Sequence, residues 1–297
     1  MVDVSLKQVD DPARLTKVEF TNLDKVLYPE LGITKAQVIE RYIRLAPKML
    51  DLLGKRPITL TRFPSGLAGE GFYEKDTPMG TPSWVDRFKR YSETAKREIN
   101  YVVCNGLDTL IWLGNMATLE IHMTLSTVDS FESPDLVLFD VDPEPPTTND
   151  DLINTTLMLK EKLDALGIKS YVKTSGKKGM HVVIPIIAGY TFRQTRDFVH
   201  QIGKMLTKES EMVVSELPRS RDAGTIFIDY LQNSHGRTMV CPYSLRATSK
   251  ATVSTPIDWK DVKKGLNPAE FNILNVAKIQ ENPWRDLMKN KQKLVVS

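Results

Sequence analysis

Two aspartates stand at the end of an apolar run, in the segment Leu136-Val137-Leu138-Phe139-Asp140-Val141-Asp142-Pro143. The run predicts a buried strand, which should end here because proline donates no ladder hydrogen bond. Side chains alternate along a strand, so Asp140 and Asp142 should face the same way, with Val141 toward the core. Two parallel carboxylates repel each other, and one or two divalent metal ions between them would relieve that repulsion. An Asp-x-Asp pair is also typical of solvated turns, so both interpretations stay open on this segment alone.

A third acid follows an apolar strand pattern at Ile226-Phe227-Ile228-Asp229. Alternation places Asp229 on the face of Phe227 and opposite Ile226 and Ile228. A single aspartate at a strand end is more often a cap or turn residue. Together with Asp140 and Asp142, it could complete a three-carboxylate site for two metal ions.

A glycine- and lysine-rich turn joins two predicted strands, in the segment 173–181 (KTSGKKGMH). Glycines let the backbone approach a ligand closely, and successive N–H groups can form an anion-binding nest. Ser175, Lys178 and His181 add a hydroxyl, a charge and an imidazole, a set that suits a triphosphate. The spacing is not that of a P-loop. A solvated basic hairpin is the alternative.

Three further segments carry weaker signals. His122 lies in a strand-like pattern, where a histidine is more often a hydrogen-bonded core or surface residue. The segment 72–75 (FYEK), with Arg62 nearby, combines aromatic and cationic side chains that suit base stacking and phosphate contacts. Its alternative is a loop anchored in the core by its aromatics. The basic stretch 87–97 is typical of a solvated face.

The elements that must position these residues follow from the hydrophobic periodicity. Helices are predicted at 35–53 (capped by Thr34, kinked or restarted at Pro47), 107–115, 150–166 and 191–210. Strands are predicted at 57–62, 119–123, 136–143, 169–174, 180–186 and 225–230, and 63–83 is predicted to be a long loop. Helices and strands interleave without a strict βαβ rhythm. The pattern therefore predicts an α/β fold with a mixed sheet.

Composition sets broad limits on function. The chain has 297 residues, 41% of them hydrophobic, and a net charge of +3, which neither requires nor excludes a nucleic-acid partner. Its two cysteines form no C-x-x-C pair, which argues against a structural zinc site and favours reduced thiols in an intracellular protein. We find no signal peptide and no apolar run of membrane-spanning length.

Taken in order, these motifs resemble the polymerase domain of bacterial ligase D, a member of the archaeo-eukaryotic primase superfamily. The resemblance covers about residues 17–260. It rests on NLDKVLYP (22–29), RFP (62–64) with FYEK (72–75), LEIH (119–122), FDVDP (139–143), TSGKKGMH (174–181), FIDYLQN (227–233) and PYSLR (242–246).

The resemblance implies a template-dependent, ribonucleotide-preferring nucleotidyltransferase that fills gaps and extends DNA ends in non-homologous end joining. It implies that Asp140, Asp142 and Asp229 hold two Mn²⁺ or Mg²⁺ ions. The implied nucleotide-binding residues are His122, Ser175, Lys178, Gly179, His181, Gln232 and Arg246. The implied DNA-binding residues are Lys25 and Lys35 at a 5′-phosphate, Phe72 and Tyr73 stacked on template bases, and also Arg62 and Lys75.

It also implies DNA partners with 5′-phosphorylated gaps or double-strand-break ends, a separate DNA ligase and end-binding protein, and a cytoplasmic, nucleoid-associated location. The expected fold is a mixed-sheet primase-like catalytic core with flanking helices. Residues 1–15 are expected to be a lead-in, and 16–297 a single domain made of an N-terminal lobe (about 16–115), a catalytic core (about 116–260) and a C-terminal helical tail (261–297).

Two other functions remain possible at this stage. A metal-dependent glycosyltransferase also uses Asp-x-Asp, but it has no use for Asp229, Lys25 or the stacking loop. A non-catalytic module that bridges DNA ends would not need the carboxylates.

Overall fold

A computed structural model describes residues 17–92, 95–216, 223–279 and 281–294. The predicted lead-in at 1–15 lies outside these ranges. The described residues form four α-helices, close to the predicted ones: α1 (Lys35–Leu53), α2 (Leu107–Asn115), α3 (Asn149–Ala165) and α4 (Phe192–Thr207). None of these helices is long and apolar enough to cross a membrane.

The start of α1 agrees with the prediction, but its interior does not. Thr34 and Gln37 form a reciprocal capping box, which satisfies two backbone N–H groups at the helix end. The prediction at Pro47 was a kink or a restart; the restart is wrong, because the helix continues to Leu53, and the kink stays a prediction. Its inner face is fully buried at Val38, Tyr42 and Met49. We attribute the continuity to this burial, which offsets the hydrogen bond that proline cannot donate.

The first of the two large sheets is antiparallel. Its strand order is β13-β7-β3-β6-β5, and β4 pairs with the end of β3. The strands are β3 (Pro57–Arg62), β4 (Phe72–Glu74), β5 (Arg87–Ser92), β6 (Arg97–Val103), β7 (Thr118–Thr124) and β13 (Thr238–Val240). The sheet packs against α1 and α2 in one hydrophobic core.

The second sheet carries the aspartates, and it is mixed, as predicted. Its order is β11-β12-β8-β10-β9-β14, with β11 and β12 parallel and the other pairs antiparallel. The strands are β8 (Leu136–Pro143), β9 (Tyr171–Thr174), β10 (Met180–Pro185), β11 (Val213–Val214), β12 (Ile226–Asp229) and β14 (Pro256–Ile257). Helices α3 and α4 share its core.

The register of this sheet aligns four chemically active residues in one row. Lys173 pairs with His181, His181 with Asp140, and Asp140 with Asp229, across β9, β10, β8 and β12. Residues directly opposite one another on neighbouring strands point to the same face. The sheet therefore brings Asp229 beside Asp140, although they are far apart in sequence.

Several elements differ from the predictions. The predicted loop at 63–83 contains β4, and the strands β5 and β6, together with a small ladder of β1 (Val26–Tyr28) and β2 (Ile33–Thr34), were not predicted. The helical tail is wrong for the described residues after 261, which form short 3₁₀ turns with no α-helix. Pro268 and Pro283 each disfavour a continuous helix there, because proline donates no helix hydrogen bond. The division into lobe and core stays a prediction.

Candidate active site

The aspartate strand presents its two carboxylates on one face. Asp140 and Asp142 are partly exposed, whereas Val141 between them is completely buried. The predicted alternation is therefore confirmed. Oδ1 of Asp140 lies 3.3 Å from Nε2 of His181 on the neighbouring strand.

The third aspartate lies next to this pair but has its own hydrogen bonds. The Asp229 carboxylate accepts from the N–H of Leu231 at 2.9 Å and from Nε2 of Gln232 at 3.4 Å, so it caps the 3₁₀ turn that follows β12. Burial, and then the negative charge of Asp140, raise the pKa of Asp229 above its ordinary value. Asp229 and Asp140 are directly opposite each other on β12 and β8, so their charges are close enough to interact.

The donor set fits a hard divalent cation, but the side chains are not preassembled around one. As they stand, no group of three or more His, Cys, Asp or Glu side chains in the described ranges is gathered closely enough to hold a metal ion. An ionised carboxylate has about four lone-pair sites, so Asp229 can cap its turn and still bind a cation. Carboxylate oxygens are the ligands that Mg²⁺ and Mn²⁺ prefer.

The glycine-rich turn approaches the aspartate strand and Arg246, rather than leaving space for a ligand. A Cβ at Gly179 would lie 2.5 Å from the carbonyl oxygen of Val141. Gly176 has a φ of +73°, and a Cβ there would lie 2.6 Å from Cγ of Arg246. Both positions therefore require glycine for close packing within the protein.

The predicted anion nest is already occupied by a side chain. The N–H groups of Lys177 and Gly179 donate to Oγ of Ser175, at 3.2 and 3.0 Å. In this conformation, the Gly179 N–H is therefore not directed at a nucleotide. The charged side chains of Lys177 and Lys178, both exposed, are the turn's means of attracting an anion.

A buried glutamate that the sequence analysis did not assign lies among the cations. Glu120 is 5% exposed and accepts from Nε of Arg246 at 3.1 Å, while its other oxygen lies 3.1 Å from Nε2 of His122. Burial alone would raise the pKa of Glu120, but the His122 hydrogen bond and the Arg246 charge hold that pKa well below its usual range. The sequence did carry one signal: Glu120 and His122 are two positions apart on one strand, so they share a face.

The two histidines of the site are nearly buried. Burial is the main reason why the pKa of His122 and that of His181 both lie below the ordinary value. The positive charge of Arg246 adds to this effect at both. The surroundings therefore favour the neutral form of both imidazoles.

Eight of the ten residues predicted to bind metal or nucleotide line one cavity of about 300 Å³ between the two sheets. Its walls include the carboxylates on one strand and the cations from the turn and from Arg246. The lining residues are His122, Leu138, Asp140, Asp142, Ser175, Lys177, Lys178, His181, Gln232, Thr238, Met239, Val240 and Arg246. Asp229 and Gly179 lie beside the cavity rather than in its lining.

A larger cleft of about 910 Å³ adjoins this cavity and shares Gln232 and Thr238 with it. Its lining combines aromatic and cationic side chains from the first sheet and from the segment after β12. The lining residues are Tyr73, Lys75, Arg90, Tyr91, Ser92, Tyr101, Phe131, Glu132, Gln232, His235, Gly236, Arg237 and Thr238.

The cleft bears on three expectations about the first sheet. Arg90 and Tyr91 line it, and both side chains are exposed, as expected for a solvated face. Tyr73 lines the cleft but Phe72 does not, because neighbouring residues on β4 point to opposite faces. Arg62 is already held by Glu74 at 2.9 Å and by the Met116 carbonyl at 3.2 Å, so its contact with DNA stays a prediction.

The two lysines predicted to bind a phosphate lie together, away from both cavities. Nζ of Lys25 donates to the Pro64 carbonyl at 2.9 Å, and Nζ of Lys35 donates to the Thr21 carbonyl at 2.7 Å. Burial, and then the nearby Lys25 charge, lower the pKa of Lys35. Two cations this close favour a bound anion between them.

The family model for the LigD primase-polymerase domain matches residues 34–287. The chain is 33% identical over 283 residues to the bifunctional non-homologous end joining protein LigD of Bacillus subtilis, covering 93% of this chain and 45% of that protein. It is 31% identical over 252 residues to the multifunctional LigD of Mycolicibacterium smegmatis, covering 84% of this chain and 33% of that protein. The chain thus spans less than half the length of these relatives.

Among solved structures, the fold is similar to that of the polymerase domain from Mycobacterium tuberculosis ligase D in complex with DNA. The TM-score is 0.84 at 24% identity, and the match covers 93% of this chain and 100% of that chain. This likeness confirms the mixed α/β fold class.

Proposed function

Because the chain belongs to the LigD primase-polymerase domain family, a family of nucleotidyltransferases, we propose that it fills gaps and extends DNA ends in non-homologous end joining. Its relatives from two genera carry that pathway in their names. The proposed substrates are a primer 3′-hydroxyl on a template strand and an incoming nucleoside triphosphate, with ribonucleotides preferred. The preference for ribonucleotides is supported by the family resemblance alone.

One observation carries the proposal: a single cavity is lined both by carboxylates and by cations. Asp140 and Asp142 line it from β8, and Lys177, Lys178 and Arg246 line it as well. A triphosphate carries negative charge along its whole length, so it needs such cations. Metal-binding carboxylates belong where nucleotidyl transfer takes place.

The residues fit two divalent cations, Mn²⁺ or Mg²⁺. Asp140, Asp142 and Asp229 would hold them, since their carboxylates share one electrostatic site and one face of the sheet. When bound, the ions supply charge neutralisation on the triphosphate and lower the pKa of the primer hydroxyl. His181 orients Asp140 through the 3.3 Å contact between them.

The protein's own groups bind and orient the nucleotide. The guanidinium of Arg246 can engage two phosphate oxygens, and the two lysines of the turn act as point charges. Neutral His122 and the Ser175 hydroxyl offer hydrogen bonds to phosphate or sugar oxygens. Gln232, which lines both the cavity and the cleft, lies where nucleotide and DNA would meet.

We assign the template and primer to the larger cleft. Tyr73 and Tyr91, which are 56% and 53% exposed, offer aromatic faces for sequence-independent base stacking, while Lys75, Arg90 and Arg237 offer charge for the backbone. Phe72 remains a candidate for stacking on a base outside the cleft, because it is 48% exposed.

We assign the 5′-phosphate of the downstream strand to Lys25 and Lys35. Both amino groups donate to backbone carbonyls rather than to a carboxylate. A polymerase that fills a gap leaves a 3′-hydroxyl beside a 5′-phosphate, which is the substrate of a ligase. A DNA ligase and an end-binding protein are therefore the proposed partners.

The direct test is primer extension on a duplex with a short gap, assayed with ribo- and deoxynucleotides in Mn²⁺ and in Mg²⁺. We expect templated addition, faster with ribonucleotides, and stronger when the downstream strand carries a 5′-phosphate. A protein that binds the gapped duplex but adds no nucleotide in either metal would be the end-bridging module instead.

The phosphate assignment has its own variant. Lys25→Met combined with Lys35→Met should abolish the preference for the 5′-phosphate without abolishing addition. Lys55→Met is the matched control, because Lys55 pairs with Asp129 at an exposed position. A wild-type protein that binds 5′-hydroxyl and 5′-phosphate gaps equally well would contradict the assignment.

A further inference from the structure

We infer that Glu120 is a positioning residue that holds the cations of the triphosphate pocket in place before the nucleotide arrives. The inference rests on the proposed function and adds a residue to it. None of the motifs that suggested nucleotide binding assigned a role to this glutamate. Its position among the cations is what carries the argument.

Glu120 is the hub of four polar contacts. Oε1 accepts from Nε of Arg246 at 3.1 Å and from the N–H of Ala247 at 3.0 Å. Oε2 lies 3.1 Å from Nε2 of His122, and Nζ of Lys177 lies 3.6 Å from Oε1. These donors come from a strand of the first sheet, from the segment after β13 and from the glycine-rich turn, so one carboxylate connects three parts of the site.

The contact with Glu120 leaves Arg246 with a nitrogen that can still donate to a phosphate. Arg246 also donates from Nη1 to the Ser175 carbonyl at 2.8 Å, which fixes the guanidinium against the turn. We find no hydrogen-bond acceptor for Nη2 of Arg246 within the described ranges, and Arg246 lines the cavity. Glu120 therefore holds the arginine from one side and leaves one nitrogen for a phosphate oxygen.

A negative charge is required at the hub because the surroundings are strongly positive. Arg246 is 7% exposed, and Nζ of Lys177 lies 3.6 Å from Oε1 of Glu120. Without Glu120, the charges of Arg246 and Lys177 would repel one another beside a medium of low dielectric constant. The carboxylate lowers that repulsion in the empty site, so less reorganisation is needed when the triphosphate binds.

The test compares ATP binding and nucleotide addition in Glu120→Gln and the wild type. Glutamine keeps the shape and the acceptor oxygen but loses the charge. We expect calorimetric ATP affinity in the presence of Mg²⁺ to fall about tenfold or more, which corresponds to ~1.4 kcal/mol or more of binding free energy. The KM for the nucleotide should rise in parallel, whereas kcat at saturating nucleotide should change much less.

Two further variants separate positioning from folding. Lys177→Met removes an outer member of the hub whose side chain is 51% exposed, so it should fold normally and weaken ATP binding by about two- to threefold. Asp135→Asn removes the other arginine-paired buried carboxylate, which lies away from the cavity, and should leave ATP affinity unchanged in the folded protein.

Wild-type ATP affinity in Glu120→Gln, or a loss of kcat with an unchanged KM, would overturn the inference. A Glu120→Gln protein that fails to fold leaves the decision to Lys177→Met, whose unchanged affinity would also overturn it. If only the proposed function fails, the wild type binds ATP but adds no nucleotide. The ATP affinities of the wild type and of Glu120→Gln then still decide the role of Glu120. A wild type that binds no ATP overturns both.

Discussion

Two arginines of this chain are buried beside carboxylates, and they use their donors differently. Arg56 is 1% exposed and forms a two-pronged pair with Asp135 at 2.7 and 2.9 Å. Its Nε donates to the Leu52 carbonyl, so all three of its nitrogens are bonded to the protein. Arg246 has only Nε and Nη1 so engaged in the described ranges. The Arg56–Asp135 pair, in which every arginine nitrogen is bonded, stabilises the fold, whereas the Arg246–Glu120 pair faces a cavity.

The comparison teaches that burial and ion pairing do not by themselves mark a functional site. Both pairs are desolvated, and both would leave an uncompensated charge if one partner were removed. What distinguishes Arg246 is the remaining donor, the cavity that it lines and the neighbouring cations. The predictions below test whether the two pairs can be separated by experiment.

The largest expected effect on stability is at the Arg56–Asp135 pair. Asp135→Asn should lower the free energy of unfolding by about 3–5 kcal/mol, because it leaves the Arg56 guanidinium buried without its counter-charge. Chemical denaturation measures this change. A loss below about 1 kcal/mol would show that the pair does not hold α1 against the sheets.

Arg246→Lys should lower stability less than Asp135→Asn does, but it should also weaken ATP binding. Lysine keeps the charge but cannot bond Glu120 and the Ser175 carbonyl at the same time. We expect a loss of about 1.5–3 kcal/mol in unfolding free energy, together with a fall of at least tenfold in ATP affinity. Denaturation and calorimetry give the two numbers. Unchanged ATP affinity would mean that Arg246, like Arg56, has only a structural role.

Removing the charge of Asp229 should stabilise the folded protein. Its pKa in the folded protein is raised above the ordinary 3.8, so ionisation costs stability as the pH rises through the folded pKa. Asp229→Asn should therefore be more stable than the wild type at pH 7 in the presence of EDTA, and the gain should vanish below the unfolded pKa. Asparagine retains the cap on the 3₁₀ turn.

Thermal unfolding of the wild type and Asp229→Asn at pH 7 and pH 3 tests this sign. Equal stability of the two proteins at pH 7 would mean that the pKa of Asp229 is not raised in the folded protein. Glu120 should show the opposite pH dependence of stability, because its pKa in the folded protein is lowered. Its contribution to stability is complete above the unfolded pKa and is lost as the pH falls toward the folded pKa.

Much of the site followed from strand alternation, whereas its assembly did not. Alternation predicted that Asp140 and Asp142 share a face, and the polar residue at 229 marked the end of another strand. Glu120 was missed because its principal partner, Arg246, lies 126 positions away. Local periodicity contains no information about such a contact.

Strand order and orientation could not be predicted from the sequence either. The strand Arg87–Ser92 carries mostly exposed charged residues, so its composition gave no strand signal. The cleft that it helps to form depends on pairing with β6, which only the folded sheet specifies. The capping boxes at Thr34, Thr148 and Thr191 show the opposite case, since they depend on residues only three positions apart.

The smallest expected effect concerns Lys178, whose amino group pairs with Glu144 at 3.0 Å. The side chains are 47% and 30% exposed, so breaking the pair should cost well under 1 kcal/mol. Glu144→Gln should release Lys178 for the triphosphate and raise ATP affinity by about two- to threefold. Asp164→Asn, at an exposed pair with Lys160, is the control. Lower affinity in Glu144→Gln would mean that Glu144 positions the lysine instead.

The central claim is that Asp142, together with Asp140 and Asp229, makes nucleotidyl transfer possible. It is tested most directly by single-nucleotide addition to a gapped duplex, comparing the wild type with Asp142→Asn at equal DNA occupancy. We predict that the variant binds the duplex as the wild type does and loses at least about a hundredfold in rate, because the ions that it helps to hold contribute several kcal/mol. Addition at the wild-type rate by Asp142→Asn would contradict the account.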